Sequence, residues 1–397
     1  MTVGSVLQAA HQWVILVLIT RLGGLEVGGW YALSVGVAVP LYLVAYLGTR
    51  LVVSLDVGRA LALHPLYSIR FYMLSLPVLS AAVLFALTGE AWAMMLLLVF
   101  LVRTIDGIGD FLYGVAHRGR VVYRQGVSMT LKSVSGLSAF LIGFGIGGYV
   151  GGLICMAGAN LAVVVFYDWY GSPDRIALLP ISLSSQLAAD FISHLKISSP
   201  ILIGSVLAAI GANLPRYVLA WKGDAEMVAV FVAITSFVLA LNVFATALGQ
   251  TLLTRYARAV QDTSSDIWRW MVLSSGLVLC GVFVAVGLAH FYGELILDVT
   301  FGQEISKYSD IFAISILCAG VCVVAQTVSY ANLATRRFWW IVLINLISVS
   351  VGLIAALAMI GRFGVLGGAI TMGVIGLVQL TGFLLSLRAS ARSLNPQ

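Results

Sequence analysis

Apolar runs recur along the whole chain, each closed by a charge, a glycine or a proline. They cover residues 3–20, 28–53, 68–88, 91–117, 124–146, 149–169, 196–220, 226–251, 266–291, 306–332, 337–360 and 364–388. A helix that crosses a bilayer needs about 20 predominantly apolar residues, so this pattern predicts about 12 transmembrane helices joined by short loops. Trp30, Trp92, Trp169, Trp221, Trp268, Trp270, Trp339 and Trp340 sit at the ends of these runs, where amphipathic rings meet the headgroup region.

Composition narrows the class. Of 397 residues 61% are hydrophobic and 10% charged, and the mean hydropathy is +1.04. Soluble domains carry roughly a quarter charged residues, so a soluble enzyme and a disordered chain are excluded. Met1 to Ala10 has no basic stretch and no small-residue cleavage site, so residues 3–20 read as a retained first span and not as a signal peptide. The four cysteines, Cys155, Cys280, Cys318 and Cys322, all fall within apolar runs and read as packing residues.

Basic residues orient the chain. One set of loops gathers fourteen of the 22 Lys and Arg residues, among them Arg59, Arg70, Arg118, Arg120, Arg124, Arg175, Arg255, Arg336 and Arg392; the opposite set holds five, Arg21, Arg216, Lys222, Lys307 and Arg362. By the positive-inside rule both termini face the cytoplasm. The net charge of +6 records this bias and implies no nucleic-acid partner, since no extramembrane domain is there to carry a basic surface.

The chain also repeats itself. Glu26 to Tyr31 parallels Glu226 to Phe231, and Tyr113 to Arg120 parallels Tyr330 to Arg337. Six spans per repeat is an even number, so the halves share one orientation and are related by an axis along the membrane normal. The expected organisation is an N-terminal six-helix bundle at 1–170, a cytoplasmic linker at 171–195 and a C-terminal six-helix bundle at 196–397. Two pseudo-symmetric bundles of this kind form a transporter architecture.

Charged residues inside spans cost about 2.5–3.5 kcal/mol each on insertion scales, so those that persist need water, a partner or a cargo. Arg103, Asp106, Asp110, Tyr113 and His117 recur at helical spacing on one face of the fourth span. Arg50 ends the second span, Lys132 lies in the fifth, and His11 lies in the first. The C-terminal half is different: its intramembrane polar residues are mostly neutral, with Arg216 after Pro215 as the main charge. A cavity walled by Arg50, Arg103 and Lys132, with Arg216, would attract an anion, and arginine suits phosphate oxygens. The alternative is internal pairing, Arg103 with Asp106 and Lys132 with Asp110. Glycines at 143, 147, 148, 151 and 152 suit close helix approach or a tight turn between spans. The chain shows no Walker A motif, no His-Glu-x-x-His and no long outer loop with paired carboxylates. A transporter is therefore expected in place of an enzyme, with no metal and no cofactor.

The stretch Leu7-Gln8-Ala9-Ala10-His11-Gln12-Trp13, followed by Thr20 to Gly28 and Trp30 to Leu33, resembles the start of Wzx-type polysaccharide flippases of the MOP superfamily. Leu47-Gly48-Thr49-Arg50 with Asp56, Asp110 to Gly114 with Arg118 to Arg120, and Asn213 to Tyr217 are similar too. The resemblance implies an all-α, MATE-like membrane fold and the flipping of an undecaprenyl-diphosphate-linked oligosaccharide across the bacterial inner membrane, for surface polysaccharide such as O-antigen or exopolysaccharide. It further implies alternating access coupled to an ion gradient, with Asp106, Asp110 and His11 as coupling candidates, and a polysaccharide polymerase and chain-length regulator as partners beside membrane lipid. Two other classes stay open: a MATE-type cation-coupled multidrug antiporter and a membrane-embedded polysaccharide polymerase.

Overall fold

The computed structural model describes residues 2–56, 63–172, 185–262, 264–335 and 337–394, and among these there is no strand. The loop positions Arg59, Arg175 and Arg336 lie outside the described residues, as does the side chain of Arg392. In chain order the helices are α1 (Thr2–Gly23), α2 (Leu25–Tyr46), α3 (Thr49–Leu55), α4 (Leu63–Thr88), α5 (Ala91–Arg118) and α6 (Tyr123–Ala162), the last continued by a π-helical stretch, Val163–Trp169. There follow α7 (Ser185–Lys222), α8 (Ala225–Ser236), α9 (Leu239–Asp262), α10 (Ser264–Phe301), the short α11 (Gln303–Ser306), α12 (Ser309–Ala334) and α13 (Phe338–Leu394). The protein is an all-α, multi-pass membrane protein.

Among the described residues nine helical stretches are long and apolar enough to cross a membrane, or ten if α8 and the start of α9, bent by 51°, form one span. Two of these stretches, Tyr123–Trp169 with 47 residues and Phe338–Ala389 with 52, each cover two of the predicted runs. At about 1.5 Å per residue each is roughly twice the length that one crossing of a 30 Å hydrocarbon layer needs. Both break at glycine, the first at Gly147 and Gly148 and the second at Gly364. Gly148 (φ 58°) and Gly364 (φ 53°) adopt left-handed backbone, which a side chain disfavours. Beyond the first break the two legs run close: a Cβ on Gly143 would collide with the carbonyl of Gly151 and lie 2.8 Å from Cys155.

The second predicted run is interrupted. Helix α2 stops at Tyr46, Leu47 and Gly48 take positive φ, and the chain restarts as α3 at Thr49, whose hydroxyl donates back to the Tyr46 carbonyl at 2.9 Å. Arg50 therefore sits in the first turn of a separate short helix and not at the end of a continuous span.

The chain forms two compact units, Met1–Ile19 with Ser34–Leu202, and Thr20–Leu33 with Ile203–Gln397. In the first, Val53 of α3, Leu66 and Tyr67 of α4, and Phe111 and Val115 of α5 make one buried cluster. Ile105 and Leu112 of α5, Ala157 of α6 and Val164 of the π-helical stretch make another. Helix α5 is common to both, so its polar face is fixed against α3 and α4 on one side and α6 on the other. In the second unit, Tyr256, Met271, Val328, Ile344 and Phe383 join α9, α10, α12 and α13. Lipid is as apolar as these side chains, so such clusters hold by close packing and not by escape from water. The outer faces are correspondingly apolar, with Leu87 80% and Ile146 83% exposed.

The units differ in their buried polar groups. The first buries Arg70, Lys132 and Asp168; the buried polar side chains of the second, among the described residues, are all neutral. There Asn345 donates to the Gly204 carbonyl at 3.0 Å and receives Gln379 at 3.1 Å, and Asn332 donates to the Phe383 carbonyl at 3.0 Å. Packing accounts for two of the cysteines: Gly373 and Gly376 bring α13 against Cys318 and Cys322.

Candidate functional site in the first unit

Five charged groups of the first unit, Arg50, Arg70, Asp110, Lys132 and Asp168, form two clusters that meet at the ring of Tyr113. In the first cluster the carboxylate of Asp110 (α5) is divided between two guanidiniums. Its Oδ1 accepts from Arg50 (α3) at 2.9 Å, and its Oδ2 accepts from Arg70 (α4) at 2.7 Å. Arg50 also donates to Gln125 Oε1 at 3.0 Å, and His117 Nε2 lies 2.8 Å from that same oxygen. Arg70 donates to Thr49 Oγ1 at 2.7 Å and lies 4.5 Å from the centroid of Tyr46. Helix α3 comes this close to α5 because residue 114 is glycine: a Cβ there would lie 3.0 Å from the Arg50 carbonyl oxygen.

The two arginines are not equivalent. The side chain of Arg70 is 1% exposed and that of Arg50 is 33% exposed. Two cations on one anion leave a net charge of +1, and only Arg50 offers it to a solute. Charge-assisted contacts of this kind are the stronger class of hydrogen bond, and attraction for an anion is strengthened where the surroundings are of low dielectric.

The second cluster is neutral. Lys132 (α6) lies 3.5 Å from Asp168 Oδ2 and donates to the Tyr113 hydroxyl at 3.2 Å; Ser128 donates to Asp168 at 2.8 Å. Both charged side chains are buried, and a Cβ on Gly109 would collide with the Lys132 ammonium. Lys132 thus pairs with Asp168 and not with Asp110. Asp168 closes an apolar run on the π-helical stretch, a geometry often found at functional positions. Sequence reasoning passed over it, although a carboxylate ending the run Val163-Val164-Val165-Phe166-Tyr167 called for a cation nearby. Tyr113 joins the clusters, its ring centroid 5.2 Å from the Lys132 ammonium and 6.0 Å from the Arg50 guanidinium.

Arg70 and Arg118, placed by the loop count on the cytoplasmic side, are buried ion-pair members, Arg118 lying 3.4 Å from Asp56. Helix α4 begins at Leu63, five residues before the predicted run, which carries Arg70 inside. Arg103 and Asp106 lie half-buried on α5 and, among the described residues, form neither the predicted pair nor another hydrogen bond or ion pair. His11 is half-buried with its Nδ1 enclosed and unpartnered, and the Oδ1 of the buried Asn160 is likewise unpartnered. The two groups face the same spot beside Gly136, whose Cβ would lie 2.9 Å from Asn160 Oδ1 and 3.4 Å from His11 Cε1. Arg216 belongs to the second unit, with its Nε enclosed and unpartnered. No group of metal-ligating side chains stands together among the described residues.

Ionisable groups held inside an all-helical membrane fold mark functional positions, and comparison with known proteins shows which fold this is. No protein-family model matches the chain. It is 22% identical over 396 residues to the "Capsular polysaccharide biosynthesis protein CapF" of Staphylococcus aureus, covering 96% of each. Among solved structures it matches "Lipid II flippase MurJ, inward closed conformation" with a TM-score of 0.74 and 12% identity, over 97% of this chain and 86% of that one. It also matches an inward-facing "multidrug resistance MATE family transporter of the MOP superfamily" with a TM-score of 0.71 and 16% identity, over 98% and 95%. The fold is that of the MOP superfamily, as the sequence resemblance implied.

Proposed function

We propose that the protein flips an undecaprenyl-diphosphate-linked oligosaccharide across the bacterial inner membrane for surface polysaccharide synthesis. The observation that carries this reading is the cationic excess at Asp110. Arg50, a third exposed and sharing its carboxylate with a second arginine, is suited to a diphosphate oxygen. Arg103, without an ion-pair partner among the described residues, and Arg216 are further anion contacts in this reading, while Lys132 acts from behind through Tyr113. The relative named for capsular polysaccharide biosynthesis and the fold neighbour named as a Lipid II flippase support a lipid-linked cargo.

In the same reading the chain is two six-helix bundles, 1–170 and 196–397, with a linker at 171–195 and both termini in the cytoplasm. They alternate between inward- and outward-facing states, with a polymerase and a chain-length regulator as downstream partners. Of the ion-coupling candidates, His11 keeps an unpartnered Nδ1 and Asp106 forms no ion pair among the described residues, whereas Asp110 is committed to two guanidiniums. A cationic drug, the cargo of the antiporter alternative, would meet the wrong sign of charge at Arg50.

The test is complementation of a strain lacking the protein. Arg50→Ala is expected to abolish surface polysaccharide while the protein remains in the membrane at its normal level. Wild-type polysaccharide from that variant would overturn the reading.

A further inference from the structure

Resting on that reading, we infer that Arg70 is a positioning residue that frees Arg50 to exchange between Asp110 and a phosphate oxygen of the cargo. Arg70 cannot itself touch a cargo. Its side chain is 1% exposed, packed 4.5 Å from the Tyr46 ring centroid and 6.0 Å from that of Phe111. Its charge is nonetheless felt at the accessible end of the cluster. With Arg70 removed, Arg50 and Asp110 would be a closed, neutral pair, and an incoming anion would have to displace the only counter-ion of a largely buried carboxylate. Leaving a buried charge without its partner is strongly unfavourable.

With Arg70 present, Asp110 Oδ2 stays bound at 2.7 Å whatever Arg50 does. Arg50 can then swing to a phosphate and return, and neither state strands the carboxylate. The second anchor of Arg70 works in the same direction: it donates to Thr49 Oγ1, on the residue immediately before Arg50, and so fixes the turn from which Arg50 projects. A carrier that must release its cargo needs such exchange and not permanent capture.

The experiment titrates inorganic pyrophosphate into the purified full-length protein in phosphatidylcholine nanodiscs. Arg70→Met is expected to weaken binding by at least about tenfold, the scale of one uncompensated charge near a surface. Adding Asp110→Asn to Arg70→Met restores a net +1 at Arg50 and is expected to recover affinity. Arg70→Lys keeps the charge and is expected to stay close to the wild type. Asp110→Asn alone is expected to bind more tightly, and this variant decides the matter if Arg70→Met does not fold.

Unchanged affinity in Arg70→Met, no recovery in the double variant, or weaker binding in Asp110→Asn would overturn the inference. A wild type that binds no pyrophosphate would overturn both the inference and the cationic-site reading. Undecaprenyl diphosphate included in the disc is expected to compete with pyrophosphate. Lack of competition would overturn the proposed cargo, while the Arg70 comparison would still decide the role of Arg70.

Discussion

The ammonium of Lys132 lies 3.5 Å from the carboxylate of Asp168, and both side chains are withdrawn from solvent. Each makes the other tolerable: removing one partner of a buried pair costs about 3–5 kcal/mol, whereas replacing both by apolar residues of similar size is close to neutral. Lys132→Met and Asp168→Leu alone are therefore expected to lower the melting temperature of the detergent-solubilised protein sharply, and the double variant to recover most of it. A loss in the double variant equal to the sum of the two single losses would mean that the two charges act independently.

Arg50 should not be replaceable by lysine. Its guanidinium bridges Asp110 and Gln125 through two nitrogens, a fork that an ammonium does not reproduce. In a complementation assay Arg50→Lys is expected to give surface polysaccharide well below wild type but above Arg50→Ala. Full activity in Arg50→Lys would show that a point charge is sufficient there.

Much of this was legible in the sequence, for physical reasons. Hydropathy over twenty-residue windows responds to bilayer thickness, so the runs and the all-helical class could be read directly. Arg50 and Asp110 stood out as charges in apolar surroundings. Partner choice could not be read. Lys132 lies within reach of carboxylates on two elements, and only the packing of Val164 against Ile105 and Leu112 decides for Asp168. Arg70 was hidden because α4 begins earlier than its apolar run, which turned a nominal loop residue into the interior partner of Asp110. The break at Leu47 and Gly48 was masked by continuous hydrophobicity on either side.

The left-handed glycines at the two long-helix breaks give a separate test. A Cβ on Gly148 or Gly364 would meet nothing within 4 Å, so the cost of alanine there is conformational alone, about 1–3 kcal/mol. Gly148→Ala and Gly364→Ala are each expected to produce a modest fall in melting temperature. Gly147→Ala, at a glycine without positive φ, is expected to produce less. A larger effect at Gly147 than at Gly148 would contradict the turn geometry.

Gly114 links packing to the site. Valine there would push α3 away from α5, because even a Cβ comes within 3.0 Å of the Arg50 carbonyl. Gly114→Val is expected to lose surface polysaccharide and pyrophosphate binding together while membrane insertion persists. Retained pyrophosphate affinity would show that Arg50 does not depend on this contact.

The most direct test of the cationic-site account is flipping by the purified protein in proteoliposomes, using a fluorescent undecaprenyl-diphosphate-linked sugar and a membrane-impermeant quencher. The account predicts movement between leaflets well above that of protein-free vesicles for the wild type, and the protein-free rate for Arg50→Ala. An Arg50→Ala protein that flips the lipid at the wild-type rate, or a wild type no faster than empty vesicles, would contradict it.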